Sequence, residues 1–405
     1  MEVKPGYKQT EVGVIPEEWQ VKQLGALVSY TNGKAHEQSI TDYGRYVVVN
    51  SKFISTEGEI RKYSDHCYCP TSVGDVLMVM SDVPNGRAIA KCFWVDKNHT
   101  YTVNQRICAL HPRQIDGKLL FYKLDKNLFY LAFDDGVKQT NLRKDDVLSC
   151  PLGIPKSDDE QRAIAGVLGD VDALLGALEK FIAKKRDLKQ GAMQQLLTGK
   201  TRLCGFSGEW EAKRLGEIGT FTKGKGIKKD EVVADGLPCI RYGEIYTHYN
   251  DYIRSFRSFI SLKVARESQR LKKGDLLFAG SGETAEEIGK CVVFLGDEEA
   301  YAGGDIVILS PAGQNSMYLG YLMNHTSVIE QKAQMGQGDA VVHISASNLG
   351  QLNFRLPLFD EQTAIATVLS DMDAEIAALE QRLAKTRALK QGMMQELLTG
   401  KTRLI

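Results

Sequence analysis

The phrase LKQGAMQQLLTGKTRL at 188–203 returns as LKQGMMQELLTGKTRL at 389–404, and this repetition constrains the fold more than any other feature. Internal repeats fix architecture before any local pattern does. From Glu160 to Leu203 and from Glu361 to Leu404 the chain aligns on itself without a gap, with 30 of 44 positions identical. A fainter likeness reaches backwards. Residues 17–35 align with 208–226, pairing Trp19 with Trp210 and Gly33-Lys34 with Gly224-Lys225. Residues 47–55 fall against 238–246, GDVLMVMS (74–81) against GDLLFAGS (274–281), and AKCFWV (90–95) against GKCVVF (289–294). YTVNQRICALHP (101–112) matches YAGGDIVILSP (301–311) with one residue's difference in length. The chain is therefore a globular segment followed by a helical one, written twice. The helical parts are nearly the same, whereas the globular parts keep only framework positions.

Residues 158–199 contain no proline, and apolar residues fall at Ile164, Leu168, Val171, Leu175, Leu178 and Ile182. Ile365, Leu369, Met372, Ile376, Leu379 and Leu383 stand at the matching places. Steps of four and three make a narrow seam suited to helix pairing. Ser157 or Asp158 is expected to cap the first helix and Asp360 the second. Gly199 and Gly400 sit where a left-handed cap stops each helix, and Gly191 and Gly392 are places where the last turns can bend. Unbroken, each helix would run roughly 60 Å. Helices packing only on their own globules would give the same pattern, but so long a seam favours the two pairing with each other. The order globule–helix–globule–helix makes that pair antiparallel, with the two globules at opposite ends and the charged outer faces left open for water or another subunit.

The globular parts read as short strands, YVVVN, VLMVM and RICAL in the first copy and DLLFAG, KCVVFL and DIVIL in the second. Helical stretches are expected at 119–134 and 317–334. The fold class is thus α+β: two α/β globules spaced by two long helices in an antiparallel coiled coil, related by a pseudo-two-fold repeat. The expected boundaries are 1–156, 157–203, 204–357 and 358–405.

Chemistry of its own is not expected. LLFAGSGET (276–284) resembles the glycine loop with which methyltransferases hold S-adenosylmethionine, and a self-sufficient methyltransferase is the rival reading. The matching stretch of the first copy, VLMVMSDVPNG, lacks those glycines, and no [DNS]PP[YF] motif occurs. Walker A, GxSxG and HExxH patterns are also missing. Eight cysteines include no CxxC pair, so His66, Cys67 and Cys69 read as packing rather than a metal site. No cofactor and no metal are expected. Basic and acidic residues balance at 51 each, which argues against a non-specific coat on nucleic acid and leaves a coiled-coil scaffold as a third reading. No apolar run reaches about 18 residues, and MEVKPGYKQTEVGVIPEEW lacks a secretory pattern, so the expected compartment is the cytoplasm, without membrane contact.

DEQ-x-x-I-A opening each helix, LL-T-G-K closing it, and the opening YKQTEVGVIPEEW together resemble the specificity subunit of type I restriction-modification enzymes. The resemblance covers essentially the whole chain. It implies that 1–156 and 204–357 are target recognition domains, each reading one half of a split double-stranded DNA sequence. It implies that 157–203 and 358–405 are spacers that set the gap and dock two modification (methyltransferase) subunits, with restriction (translocase-nuclease) subunits able to join. Base readout needs Arg, Lys, Asn and Gln on loops. The first copy offers Lys34, Asn50, Ser51, Lys52, Asn85, Arg87, Asn104, Gln105, Arg106, Lys138 and Gln139. The second offers Lys223, Lys225, Arg241, Tyr242 and Gln337, with Lys228 and Lys229 facing phosphate or solvent. Different residues in matching loops imply two different half-sites.

Overall fold

The structure is a computed structural model that describes residues 4–84, 86–338 and 341–404. The chain divides into two compact units that cut across its repeat. The first comprises Met1–Glu179 with Gln381–Ile405, and the second Lys180–Glu380. Each unit holds one globule, the first half of the helix that follows it, and the last half of the other helix.

In the first unit four antiparallel strands lie in the order Val28–Asn32, Ile107–Pro112, Val76–Val79, Cys92–Trp94. The second unit repeats that order with Gly219–Lys223, Ile306–Pro311, Leu276–Ala279 and Cys291–Val293. Apart from His111 and Ser310 near the strand ends, the central strands are apolar because both sheet faces are covered. Val76, Met78, Cys108 and Leu110 face a core with the helix Gly117–Leu124 and the long-helix residues Ile164, Leu168 and Leu397. Leu77, Val79, Ile107 and Ala109 face the opposite core, closed by Val47, Val49, Phe53 and Val103. There Tyr101–Val103 runs parallel to Tyr46–Val49, as Tyr301–Ala302 does to Leu237–Ile240 in the second unit.

The stretches expected as single helices at 119–134 and 317–334 are each broken in two. The first gives Gly117–Leu124 and Leu128–Leu131, the second Ser316–Met323 and Thr326–Met335. The breaks serve the sheet: Asp125 Oδ1 accepts from Cys92 N at 2.8 Å, and Asn324 Oδ1 accepts from Cys291 N at 3.0 Å. A helix continued through these residues would leave both edge-strand N–H groups unpaired.

The long helices are Asp158–Leu196 and Phe359–Leu397, and both run on through Gly191 and Gly392. Ser157 lies at the start of the first, its Oγ 3.4 Å from Glu160 N. Asp360 does not cap the second. It sits inside the first turn, and the carbonyl of Leu358 takes the N–H groups of Glu361 and Gln362. Gly199 (φ 69°) and Gly400 (φ 73°) adopt the left-handed conformation that ends each helix. The helices pack antiparallel within each unit. Lys390 bonds Asp172 and Arg387 bonds Glu179 in the first, while Lys185 bonds Glu375 and Lys189 bonds Asp373 in the second.

The repeated motifs fasten helix to globule. Glu160 is buried, accepts from Trp19 Nε1 at 3.4 Å and receives Arg403. Glu361 in the second unit accepts from Trp210 Nε1 at 3.2 Å and receives Arg202. The neighbouring glutamines act alike: Gln161 accepts from Asp116 N and donates to Pro155 O, and Gln362 accepts from Asn315 N and donates to Pro357 O. A third contact recurs as Tyr122–Asp172–Lys390 and Tyr321–Asp373–Lys189, each tyrosine donating to its aspartate at 2.6 Å. The repeated ending therefore spends its apolar side inward. Met193, Leu196 and Leu197 join the core of the second unit, and Leu397, Met393 and Leu398 that of the first. Its exposed side remains free of the globule.

Candidate nucleic-acid interface

In the first unit the strand Tyr46–Val49 ends at Asn50, whose Oδ1 accepts from Phe53 N at 2.9 Å and starts the short helix Ser51–Ser55. Beside it, Asn104 N donates to Val49 O, so the loop between Tyr101–Val103 and Ile107–Pro112 lies against that helix start. The two loops enclose a cleft of about 280 Å³ lined by Glu37, Asn50, Ser51, Lys52, Asn104, Gln105 and Arg106. Six of these seven residues are sequence candidates. Lys52 and Arg106 are exposed. The amides are committed within the protein: Asn104 Oδ1 accepts from Gln105 N at 2.7 Å, and Gln105 Nε2 donates to Glu37 at 2.7 Å. Lys34 is exposed on the rim, its N–H on Val103 O. Gly33 before it has no room for a side chain, since a Cβ there would lie 1.9 Å from Asn104 O.

The second unit builds the same cleft from different side chains. The strand Leu237–Ile240 ends at Arg241, and Gly303 N donates to Ile240 O as Asn104 N does to Val49 O. A Cβ on Gly224 would lie 1.9 Å from Gly303 O, which repeats the constraint on Gly33. The cleft measures about 660 Å³, and Lys229, Arg241, Tyr242, Glu244, Arg257 and Asp305 supply its polar lining. By this register Asn104-Gln105-Arg106 corresponds to Gly303-Gly304-Asp305. The first cleft carries three side chains on that loop, while the second keeps only that of Asp305 and is more than twice as large. Behind the second cleft, burial and then the nearby Glu244 carboxylate push the Cys239 thiol up to about 12, so it stays protonated. Behind the first, burial lowers His36, whose Nε2 lies 2.9 Å from Thr102 Oγ1.

Other candidates gather beside each cleft. Met80 N donates to Arg106 O while Met80 O accepts from Leu142 N, which brings the 138–142 segment next to the first cleft. Gln139 Nε2 donates to Ser81 Oγ at 2.8 Å, and Lys138 is exposed nearby in the chain. Arg87 is exposed on a loop held by Asp82, which accepts from Val83, Ala88 and Ile89 N–H. Asn85, also a candidate, lies outside the described residues. In the second unit Gly280 N donates to Asp305 O and Gly280 O accepts from Ile344 N, the same arrangement. Gln337 pairs there with His343, and Lys223 and Lys225 are exposed on either side of Gly224, which packs against Gly303. Sequence reasoning missed Glu37, Glu244, Arg257 and Asp305. Arg257 lies just before the strand Ser258–Ile260, and only its being a basic residue flanking a short strand could have flagged it.

The glycines of FAGSG have a packing explanation. A Cβ on Gly280 would meet Asp305 O at 2.9 Å, and one on Gly282 would meet the Tyr246 hydroxyl at 2.8 Å. His66 stacks on Tyr68 and Cys69 is buried. Among the described residues no group of three or more His, Cys, Asp or Glu is placed to hold a metal ion.

Two α/β globules, each clamped to a helix pair and each opening a polar, Lys/Arg-bearing cleft, define a duplicated recognition protein. Residues 16–190 and 207–386 match the type I restriction modification DNA specificity domain. The chain belongs to that family, and its role is that of the DNA-recognition subunit, not a catalytic one. It is 23% identical to the type I restriction enzyme MjaVIII specificity subunit of Methanocaldococcus jannaschii, over 96% of this chain and 94% of that protein. It is 24% identical to the putative MjaX specificity subunit of the same organism, over 98% and 97%. Its fold is similar to the crystal structure of a type I S subunit from M. genitalium, with a TM-score of 0.63, 16% identity and 98% of both chains covered. Among the described residues no helix is long and apolar enough to cross a membrane.

Proposed function

We propose that the globules 1–156 and 204–357 are target recognition domains that read the two halves of a split double-stranded DNA target, each through its own cleft. The observation that carries this is the pair of clefts: one backbone frame, fixed by Gly33 and Gly224, holds unlike side chains at matching places. Lys34, Lys52 and Arg106 on one side, and Lys225, Lys229 and Arg257 on the other, are positioned to meet phosphates or base edges. Arg87, Lys138 and Gln139, and Lys223 and Gln337, extend the two surfaces. Basic side chains concentrated at two places reconcile DNA binding with zero net charge.

The helical segments 157–203 and 358–405 act as the spacer that sets the gap. Support for two modification subunits comes from the exposed side of the repeated ending. Leu188, Gly191, Gln194 and Thr198 are exposed, and the same residue types recur, exposed, as Leu389, Gly392, Gln395 and Thr399. Apart from the Thr198 and Thr399 hydroxyls, which donate to the carbonyls of Gln194 and Gln395 in their own helices, these side chains make no hydrogen bond among the described residues, yet they are the same in both copies. Restriction subunits would join such a complex in the cytoplasm.

A footprint of the chain assembled with its modification subunit tests the reading: two protected blocks separated by an unprotected gap are expected, and one continuous block would refute it. One heptad added after Glu179 and one after Glu380 should widen the gap by about three base pairs, since seven helical residues span roughly 10 Å.

A further inference from the structure

Resting on the reading of the clefts as DNA-facing, we infer that Arg241 reads a guanine in the half-site of the second globule, held for that contact by Glu244. Glu244 is buried and carries two tasks. Its Oε2 accepts from Arg241 N at 3.2 Å, and its Oε1 receives Arg241 Nε at 3.2 Å and Nη2 at 3.0 Å. The Ser258 hydroxyl, also buried, donates to the same Oε1 and fixes the carboxylate from behind.

This arrangement occupies one side of the guanidinium and leaves the other. Nη1 and the outer hydrogen of Nη2 form a two-donor fork at its far end, on a side chain about one-third exposed in the cleft. Two parallel donors match the O6 and N7 acceptors of guanine in the major groove, and no other base edge offers that pair there. A free arginine would lose side-chain entropy on taking up such a pose, whereas Arg241 already holds it. The loop opposite, Gly303-Gly304, has no side chains to obstruct an approaching base edge.

The first globule has no such device. Asn50 stands at the place of Arg241, and its Oδ1 is committed to Phe53 N, leaving only amide hydrogens outward. Phe53, buried in the core, takes the place of Glu244. The guanine contact made through this position therefore belongs to the half-site of the second globule.

Selection from fully randomised duplex DNA, by the full-length chain in its modification complex, tests this. The wild type should return a guanine at one position of one half-site, favoured roughly 5- to 150-fold over other bases. R241A should flatten that position and leave the other half-site unchanged. R241K, which keeps the charge and loses the fork, should flatten it too, and it decides the matter if R241A does not fold. A uniform fall in affinity with the motif intact would overturn the inference in favour of a phosphate contact. An unchanged motif at unchanged affinity would overturn it in favour of a purely structural Arg241–Glu244 pair. A wild-type motif in one block would instead remove the reading of the clefts themselves.

Discussion

Arg403 and Glu160 lie 243 residues apart in the chain, yet they meet in a two-pronged contact, with Nη2 2.9 Å from Oε2 and Nε on Oε1. Glu160 is 5% exposed, and its other partner, Trp19 Nε1, is long at 3.4 Å. Removing the arginine leaves a buried carboxylate without its counter-charge. R403A should therefore destabilise the first unit by about 3 kcal/mol, measured by chemical denaturation. R202A should do the same to the second unit through Glu361. Equal stability of R403A and wild type would show that the contact fastens nothing.

A pH effect should come from Lys332, 1% exposed, whose Nζ donates to Gly289 O at 2.7 Å. Burial lowers its pKa to about 8 from an ordinary value of 10.5. Between those values the unfolded chain binds more protons than the folded one, so stability rises with pH across that window. Below about pH 8 the cost of burying the charge is fully present. From pH 8 to 10 the unfolding midpoint of the wild type should rise relative to that of K332M, a difference that isolates Lys332 from the buried thiols, which push stability the other way in the same range.

The glycine frame makes a separable prediction. In G33A the new methyl collides with the carbonyl of Asn104, so the loop carrying Gln105 and Arg106 must move. Overpacking of this kind costs about 1–3 kcal/mol. Footprinting should show the protected block of the first half-site weakened and the second retained, and G224A should give the mirror result.

Lys52 is exposed in the first cleft and unpaired with any carboxylate among the described residues. As a phosphate contact, it contributes affinity without sequence preference. K52A should weaken binding to all sequences alike and reduce the slope of log affinity against log salt by about 1. Loss of a base preference instead would make Lys52 a reader.

Much of this was legible in the sequence because it depends on local pattern. The heptad seam marked residues buried or half-buried in the structure, from Ile164 to Ile182 and from Ile365 to Leu383. Gly199 and Gly400 ended the helices where a left-handed residue was expected. Asn50, Ser51, Lys52, Asn104, Gln105 and Arg106 are recognisable in the sequence as polar loop residues, and one cleft contains them all. What stayed hidden depends on partners distant in the chain. Glu244 reads as an ordinary helical carboxylate until Arg241 and Ser258 close on it, and the breaks at Asp125 and Asn324 follow from edge-strand N–H groups that only the folded sheet places there.

The sequence by itself determined that the chain is a globule and a helix made twice, that the helices are long and seamed, and that the ending recurs. It left undecided which ending fastens which globule, because Arg202 and Arg403 stand in the same phrase and either suits Glu160 or Glu361 equally well. Tertiary structure decides this by distance. A helix of 39 residues spans about 58 Å, which carries Arg202 far from the Glu160 at its own helix start. Antiparallel packing instead delivers Arg403 to Glu160 and Arg202 to Glu361, so each globule is closed by the ending of the other copy.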